Sequence, residues 1–372
     1  MGHTTTTHRR MHALRRTLAI TLAALALVGA CGDDDAARSD AGSDSSTGPE
    51  DGAPSDGASD DAGRDSMVPP RRDAGSDAGT APLLDPALFD CTSLGPTGDR
   101  LPERASPIPV ACGLDPTCRT HQVSAHRGAG GQLGHIAPED TLAAYRAGIV
   151  LGVEYVETDP RPTSDGVLVN IHDPDVDRTT DGTGAVDAMT FEEIRALRIR
   201  TTIAGDYSCE RVPTLTEILE TCRGRVVVLV DANKTDRVDL LVASILEADA
   251  LEWAVFDTSS VDKIDRALAM EPGLQFMIRP DSIAAIGEQL DHFAPRVPTI
   301  VELDDSELTM DGAAIVHARG SRVLIDVFGG DLEYDVMGTT SSYEDRLGLG
   351  ADILQTDRPD GVIDLLRRLG ER

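Results

Sequence analysis

A (β/α)8 TIM barrel is the fold that this chain predicts, on three observations. Eight short apolar runs, many rich in β-branched residues, recur from residue 123 onward; amphipathic helical stretches lie between them; and charged residues or His follow several of the runs. The alternation is that of a parallel sheet covered on both faces. Eight such units within about 250 residues favour a closed barrel over an open doubly wound sheet.

In chain order, the predicted strands are Val123–Ala125, Tyr155–Asp159, Val226–Asp231, Trp253–Phe256, Leu274–Ile278, Thr299–Leu303, Arg322–Val327 and Ile353–Thr356. The predicted helices include Thr141–Leu151, Val238–Glu247, Ser260–Ala269, Ser282–Leu290 and Asp360–Leu369. In a barrel of this kind chemistry sits at the C-terminal ends of the strands. His126 and Arg127 follow the first run, Glu157 and Asp159 close the second, Asp231 closes the third and Asp357 follows the eighth.

Ahead of the barrel, Arg9, Arg10, Arg15 and Arg16 precede an apolar stretch from Leu18 to Ala30. The stretch is too short for a permanent membrane span and suits the core of a secretory signal. Its ending, Leu27-Val28-Gly29-Ala30-Cys31, resembles a bacterial lipoprotein signal, with Val28 where Leu is usual. The resemblance implies lipidation of Cys31; ordinary cleavage after Ala30 is the alternative, and both readings export the chain. The expected location is the cell envelope, with the chain lipid-anchored, and Gly32 rather than Asp after the Cys favours the outer membrane.

From Gly32 to Leu88 the chain is Asp, Gly, Ala, Ser and Pro with few large apolar residues, and carries fourteen acidic residues against four Arg. Such a segment cannot bury enough surface to offset its ordering entropy, which predicts a disordered tether over 31–88. Its repeats lack the fixed ligand spacing of a calcium loop. The expected organisation is therefore a signal peptide at 1–30, the tether, a Cys-containing extension at 89–120 and the barrel at 121–372.

The five cysteines after Cys31 are expected to pair in an exported protein, with Cys112–Cys118 and Cys209–Cys222 favoured, Cys91 left over and the other pairings open. No CxxC or Cys/His spacing supports zinc. The formal charge of −30 argues against a nucleic-acid partner, whose phosphates need Lys and Arg. A small anionic diester is different, because one divalent cation and one Arg can hold it.

Glu157 and Asp159 are two residues apart in a predicted strand, so both carboxylates project from one face. With His126, Arg127 and His172 close by in sequence, the set reads as a metal-assisted phosphodiester-cleaving site. His121, His135, His292 and His317 lack such motif partners and read as ordinary surface or core residues, although His135 lies near enough to the first motif to line a cleft. The run from Gly128 to Gly134 is not a dinucleotide fingerprint, because Leu133 stands where its third Gly belongs.

His126-Arg127-Gly128, Pro138-Glu139-Asp140-Thr141, Glu157-Thr158-Asp159, Asp165-Gly166, His172-Asp173, Arg178-Thr179-Thr180 and Thr356-Asp357-Arg358-Pro359 occur in order along the chain. Together they resemble the glycerophosphodiester phosphodiesterase family, from about His121 to the C-terminus. The resemblance implies a TIM barrel that hydrolyses glycerophosphodiesters such as glycerophosphocholine to glycerol 3-phosphate and an alcohol, with Ca2+ or Mg2+. It makes His126 and His172 the acid/base pair, Arg127 a phosphate clamp, and Glu157 and Asp159 metal ligands.

The chain departs from the family pattern at three places. Asp140 replaces an Asn near the expected site entrance, a mild change. The family's Glu two residues before a Lys becomes Asp231-Ala232-Asn233-Lys234. Assigning Asp231 as third ligand and Lys234 as a phosphate contact then requires one extra residue of bulge. Pro160 and Pro162 directly after the ligand pair are unexpected, though Pro suits a chain leaving a strand. Two rival functions remain: a phospholipase D-like enzyme acting on lysophospholipids or sphingomyelin, towards which Asp231 leans, and a non-catalytic surface binding protein on the same scaffold.

Overall fold

Eight parallel strands close into a barrel at the positions that the apolar runs predict. The computed structural model describes residues 84–95, 100–131 and 135–372; the signal segment, Cys31, nearly all of the tether and Gln132–Gly134 lie outside the described residues. Around the barrel the order is β1 (Gln122–Ala125), β10 (Ile353–Thr356), β9 (Arg322–Asp326), β8 (Ile300–Glu302), β7 (Gln275–Ile278), β6 (Ala254–Thr258), β5 (Val227–Asp231) and β2 (Tyr155–Thr158), which pairs back with β1.

The two-residue side-chain period divides each strand between the lumen and the outer wall. Tyr155, Val227, Leu229, Val255, Met277, Ile300, Leu324 and Ile353 form one buried apolar cluster, which fills the lumen. The alternate residues, among them Val156, Val228, Val230, Phe256, Phe276, Val301 and Val323, join a second cluster with the buried faces of the helices. One step of the same period beyond the lumen cluster, towards the C-terminal end, come Glu157, Asp231, Asp257, Arg279, Glu302, Asp326 and Gln355. The barrel therefore has an apolar floor beneath a mostly acidic mouth.

The helices start where side-chain oxygens can take up free backbone N–H groups. Thr141, Ser260, Ser282 and Thr309 cap their helices in this way, and Thr214 forms a reciprocal capping box with Glu217. Losing one such cap costs about 1 kcal/mol.

An antiparallel pair that the sequence reading does not include, β3 (Pro160–Pro162) and β4 (Leu168–Asn170), leaves the barrel directly after β2. It is a two-stranded edge, which tolerates the missing N–H of Pro160 and Pro162. Val169 and Ile171 pack with Val176, Val186, Ile194 and Val212 into a small satellite core beside the barrel.

The opposite end is closed by the residues ahead of β1. Val110 and Leu114 pack against the lumen cluster, and a Cβ on Gly113 would lie 2.8 Å from Val227 Cγ2, so only Gly fits there. Tyr155 Oη donates to Gly113 O at 2.7 Å, while the fully buried Arg322 guanidinium donates to Tyr155 Oη, Gln122 Oε1 and the Cys112 and Thr120 carbonyls. Cys112 pairs with Cys118 as expected. The second expected pairing is corrected: Cys209 bonds to Cys91 across 118 residues, and Cys222 is free and buried in the main core. Cys222 faces inward from a helix against the barrel wall, whereas Cys209 lies on the loop that meets the extension, where Cys91 N also donates to Asp206 O at 2.8 Å.

Candidate functional site

The side chains of Glu157 and Asp159 follow Tyr155 up one face of β2, and Asp231 ends β5 next to it. Oxygens of these three carboxylates lie within 4.8 Å of one another, and all three residues are buried. Burial raises Glu157 well above the usual carboxylate range, with Asp159 and Asp231 adding repulsion; burial likewise raises Asp231, against the pull of Arg279.

One carboxylate oxygen lacks a hydrogen bond altogether. Asp159 Oδ2 is buried without one, its nearest charge partner being Arg127 Nε at 3.7 Å. Converging hard oxygens with an unfilled acceptor suit a divalent cation of the Ca2+ or Mg2+ kind. Their span also fits, because two oxygens sharing a Ca2+ can be up to about 5 Å apart.

His126 sits above this trio at the end of β1. As a carboxylate only accepts, His126 Nδ1–H donates to Asp357 Oδ1 at 2.7 Å, which leaves Nε2 4.0 Å from Glu157 Oε2. The Phe328 ring lies over the imidazole at a centroid distance of 4.6 Å and limits its rotation. Asp357 is itself held, its N–H donating to Asp331 Oδ2 at 2.7 Å.

His172 follows β4, so the hairpin missed in sequence is what carries this imidazole to the mouth. Its backbone N–H donates to Asp140 Oδ2 at 3.1 Å, its carbonyl accepts from Arg161, and its Nδ1–H donates to Asp173 Oδ1 at 3.0 Å. Burial lowers its pKa below that of a free His, against the raising effect of Asp159. Asp140 is therefore no entrance residue. It is 5 % exposed, accepts from Asn170 Nδ2 at 2.7 Å, and is pushed well above the usual carboxylate range by burial and by Asp159 and Glu139.

Arg127 is buried between Asp159 and Glu139, donating to Glu139 Oε1 at 3.0 Å. Burial alone would lower its pKa, but these carboxylates reverse the direction and keep the guanidinium charged. The bulge expected near Asp231 does not form within the strand. Register with β6 is unbroken through Asp231 and Asp257, and the extra residue falls in a turn in which Asn233 N donates to Asp231 Oδ1 at 2.6 Å. Lys234 follows that turn, within electrostatic reach of Asp231 and His172. The other described histidines each pair with a carboxylate: His121 with Glu371, His135 with Asp335, His292 with Asp265 and His317 with Asp352.

Four charged mouth residues escape the motif reading: Asp257, Arg279, Glu302 and Asp326. Arg279 Nε lies 2.8 Å from Asp257 Oδ1 and 3.1 Å from Glu302 Oε2, tying two strand ends together. Burial raises Asp257 to about 6 even beside this Arg, and also pushes Glu302 well above the usual carboxylate range. Their sequence signal is the lumen parity, continued one step past the last apolar residue of each strand.

The glycerophosphoryl diester phosphodiesterase family model matches residues 126–328, more than half of the chain. The chain belongs to this family. Glycerophosphodiester phosphodiesterase 1 of Homo sapiens is 43 % identical over 118 residues, which are 29 % of this chain and 34 % of the human protein. The chain thus matches about a third of the length of that curated relative. Among solved structures, a glycerophosphodiester phosphodiesterase from Agrobacterium tumefaciens is 25 % identical, with a TM-score of 0.53 over 66 % of this chain and 99 % of that one. A phosphodiesterase from Oleispira antarctica, solved in complex with the product sn-glycerol-3-phosphate, shares the fold at 24 % identity, with a TM-score of 0.55 over 68 % of this chain and 99 % of that one. The family match begins at His126 and ends at Phe328, whose ring packs against that imidazole at a tilt of 34°.

Proposed function

We propose that this protein is a metal-dependent phosphodiester hydrolase that cleaves glycerophosphodiesters such as glycerophosphocholine to glycerol 3-phosphate and an alcohol. The observation that carries the reading is the buried trio of Glu157, Asp159 and Asp231, with the imidazole of His126 and the guanidinium of Arg127 against it. Family membership and the sn-glycerol-3-phosphate complex of the Oleispira phosphodiesterase support it. Ca2+ or Mg2+ held by the trio would supply charge to the phosphoryl oxygens.

The chain's own residues do the rest. Arg127, with Lys234, binds the phosphoryl oxygens. His126 and His172 divide the proton transfers. One imidazole takes the proton as the glycerol 2-hydroxyl attacks phosphorus. The other protonates the alkoxide as the P–O bond to the alcohol breaks, and water then opens the cyclic phosphate. Asp357 and Asp173 hold one nitrogen of each ring, leaving the other free for the substrate.

The test is incubation of the protein with a panel of glycerophosphodiesters and lysolipids, with and without Ca2+, and identification of the ester bond that breaks. Release of glycerol 3-phosphate that stops on chelation is the expected result. Cleavage of lysophosphatidylcholine or sphingomyelin in place of glycerophosphocholine would favour the phospholipase D-like reading, and no turnover of any diester the binding-protein reading.

The N-terminal sequence supports export as a lipoprotein anchored through Cys31, with a signal peptide at 1–30, a tether at 31–88, an extension at 89–120 and the catalytic domain at 121–372. The tether has no basic patch to hold it against anionic headgroups, so the barrel works in the aqueous phase beyond the membrane. A Cys31→Ala variant that is still exported should move from the membrane fraction to the soluble one with unchanged specific activity. Its retention in the membrane would sink the anchor assignment.

A further inference from the structure

The Arg178-Thr179-Thr180 run takes no part in the chemistry above, yet its guanidinium touches both halves of the site at one remove. Arg178 Nε and Nη2 lie 2.6 and 3.1 Å from the two oxygens of Asp173, and Nη1 and Nη2 lie 2.7 Å from the two oxygens of Glu139. Asp173 is the acceptor for His172 Nδ1, and Glu139 Oε1 is the acceptor for Arg127 Nη1. One half-exposed side chain thus bridges the supports of an acid/base imidazole and of the phosphate clamp.

This is more than a surface ion pair, which is usually worth little. Both contacts are two-pronged, and the backbone that presents the guanidinium is fixed from beneath. Thr180 is fully buried, its hydroxyl donates to Val176 O at 2.7 Å and accepts from Gly182 N at 3.1 Å, and Arg200 N donates to Thr179 O at 2.8 Å. The two Thr build the turn and Arg178 is what the turn delivers.

We propose, resting on the hydrolase reading, that Arg178 is a positioning residue that sets His172 through Asp173 and Arg127 through Glu139. Without it Asp173 has no anchor against rotation away from the imidazole. Glu139, no longer shared between two guanidinium groups, draws Arg127 towards itself and reduces the positive charge offered to phosphate. Lys in its place keeps the charge but, as a point donor, cannot grip both carboxylates in two-pronged fashion.

The test compares the wild type with Arg178→Ala, Arg178→Lys and the double variant Asp173→Asn/Glu139→Gln, alone and combined with Arg178→Ala. Turnover of glycerophosphocholine with Ca2+ should fall roughly 100-fold in Arg178→Ala, the scale of a 1 Å misplacement of a reacting group, with KM also raised and Arg178→Lys in between. On the double variant, Arg178→Ala should add less than a threefold further loss, roughly the scatter expected for a single shared pathway. Two readouts are independent of turnover: the imidazole nitrogen resonances of His172 should shift in Arg178→Ala, and inorganic phosphate should bind more weakly in the presence of Ca2+. Unmoved resonances with unchanged phosphate affinity would overturn the proposal whatever the turnover, as would full additivity on the double variant. A wild type that cleaves no diester would count against the hydrolase reading alone, because the resonance and phosphate measurements still decide the role of Arg178.

Discussion

Asp357 offers a quantitative probe of the site. It accepts from His126 Nδ1 at 2.7 Å, and it crosses the path of a glycine: a Cβ on Gly131 would lie 2.5 Å from Asp357 Oδ1 and 2.7 Å from its Cγ. Gly131 also has φ +52°, a conformation that a side chain resists. Two different substitutions should therefore do the same damage, Asp357→Ala by deleting the acceptor and Gly131→Ala by pushing it aside. A hydrogen bond with one charged partner contributes about 1.5–3 kcal/mol, so its loss should lower kcat about 10- to 150-fold. Asp357→Asn keeps a carbonyl acceptor and loses only the charge, and belongs near the lower end. The assay is glycerol 3-phosphate release from glycerophosphocholine under saturating Ca2+, with thermal unfolding as a check on the fold. If Asp357→Ala and Gly131→Ala both kept kcat within twofold of wild type while folded, the role given to this contact would be wrong.

Three other perturbations test the surrounding framework. The Glu157, Asp159 and Asp231 carboxylates repel one another when no cation is bound, so Asp159→Asn should raise the melting temperature of the cation-free protein while abolishing the rise caused by Ca2+; a retained Ca2+ response would remove Asp159 from the ligand set. Replacing Cys91 and Cys209 by Ser should cost about 5 kcal/mol and replacing Cys112 and Cys118 about 2 kcal/mol, because closure entropy grows with the logarithm of the 118- and 6-residue separations; urea unfolding giving equal losses would contradict this ranking. Burial raises Asp331 to about 6 against hydrogen bonds from Thr356, Tyr343 and the Asp357 N–H. A folded pKa above the unfolded one makes the carboxylate destabilising at neutral pH, so stability from this group grows as pH falls from about 6 to about 4, by roughly 3 kcal/mol. The stability difference between wild type and Asp331→Asn should change by that amount across the window, and a constant difference would refute it.

The barrel was legible because each strand is a short apolar run set between helical stretches, and because parity alone puts Glu157, Asp159 and Asp231 on lumen faces. What escaped depends on contacts between distant segments. Pro160-Arg161-Pro162 reads as a chain leaving a strand, since Pro lacks a ladder donor, yet a two-stranded edge accepts it and so carries His172 into place. Asp140 looked like a mild change from Asn, but its burial beside Asp159 makes it a buried support for the His172 backbone. Cys209 and Cys222 are near neighbours in sequence, but they face opposite ways, one towards a loop and one into the core. Asp257, Arg279, Glu302 and Asp326 belong to no motif, and only the register of the lumen cluster marks them.

The Cys91–Cys209 bond encloses more than a stretch of barrel. Between its two ends lie His126, Arg127, Glu157, Asp159 and His172, together with the exposed loops around residues 181–187 and 198–206. Loop tips of this kind are where proteases cut first. A single cut anywhere between residues 91 and 209 yields two fragments that remain covalently joined, and both stay packed on the barrel wall. That tie lets an already cleaved molecule keep its two imidazoles facing one set of carboxylates.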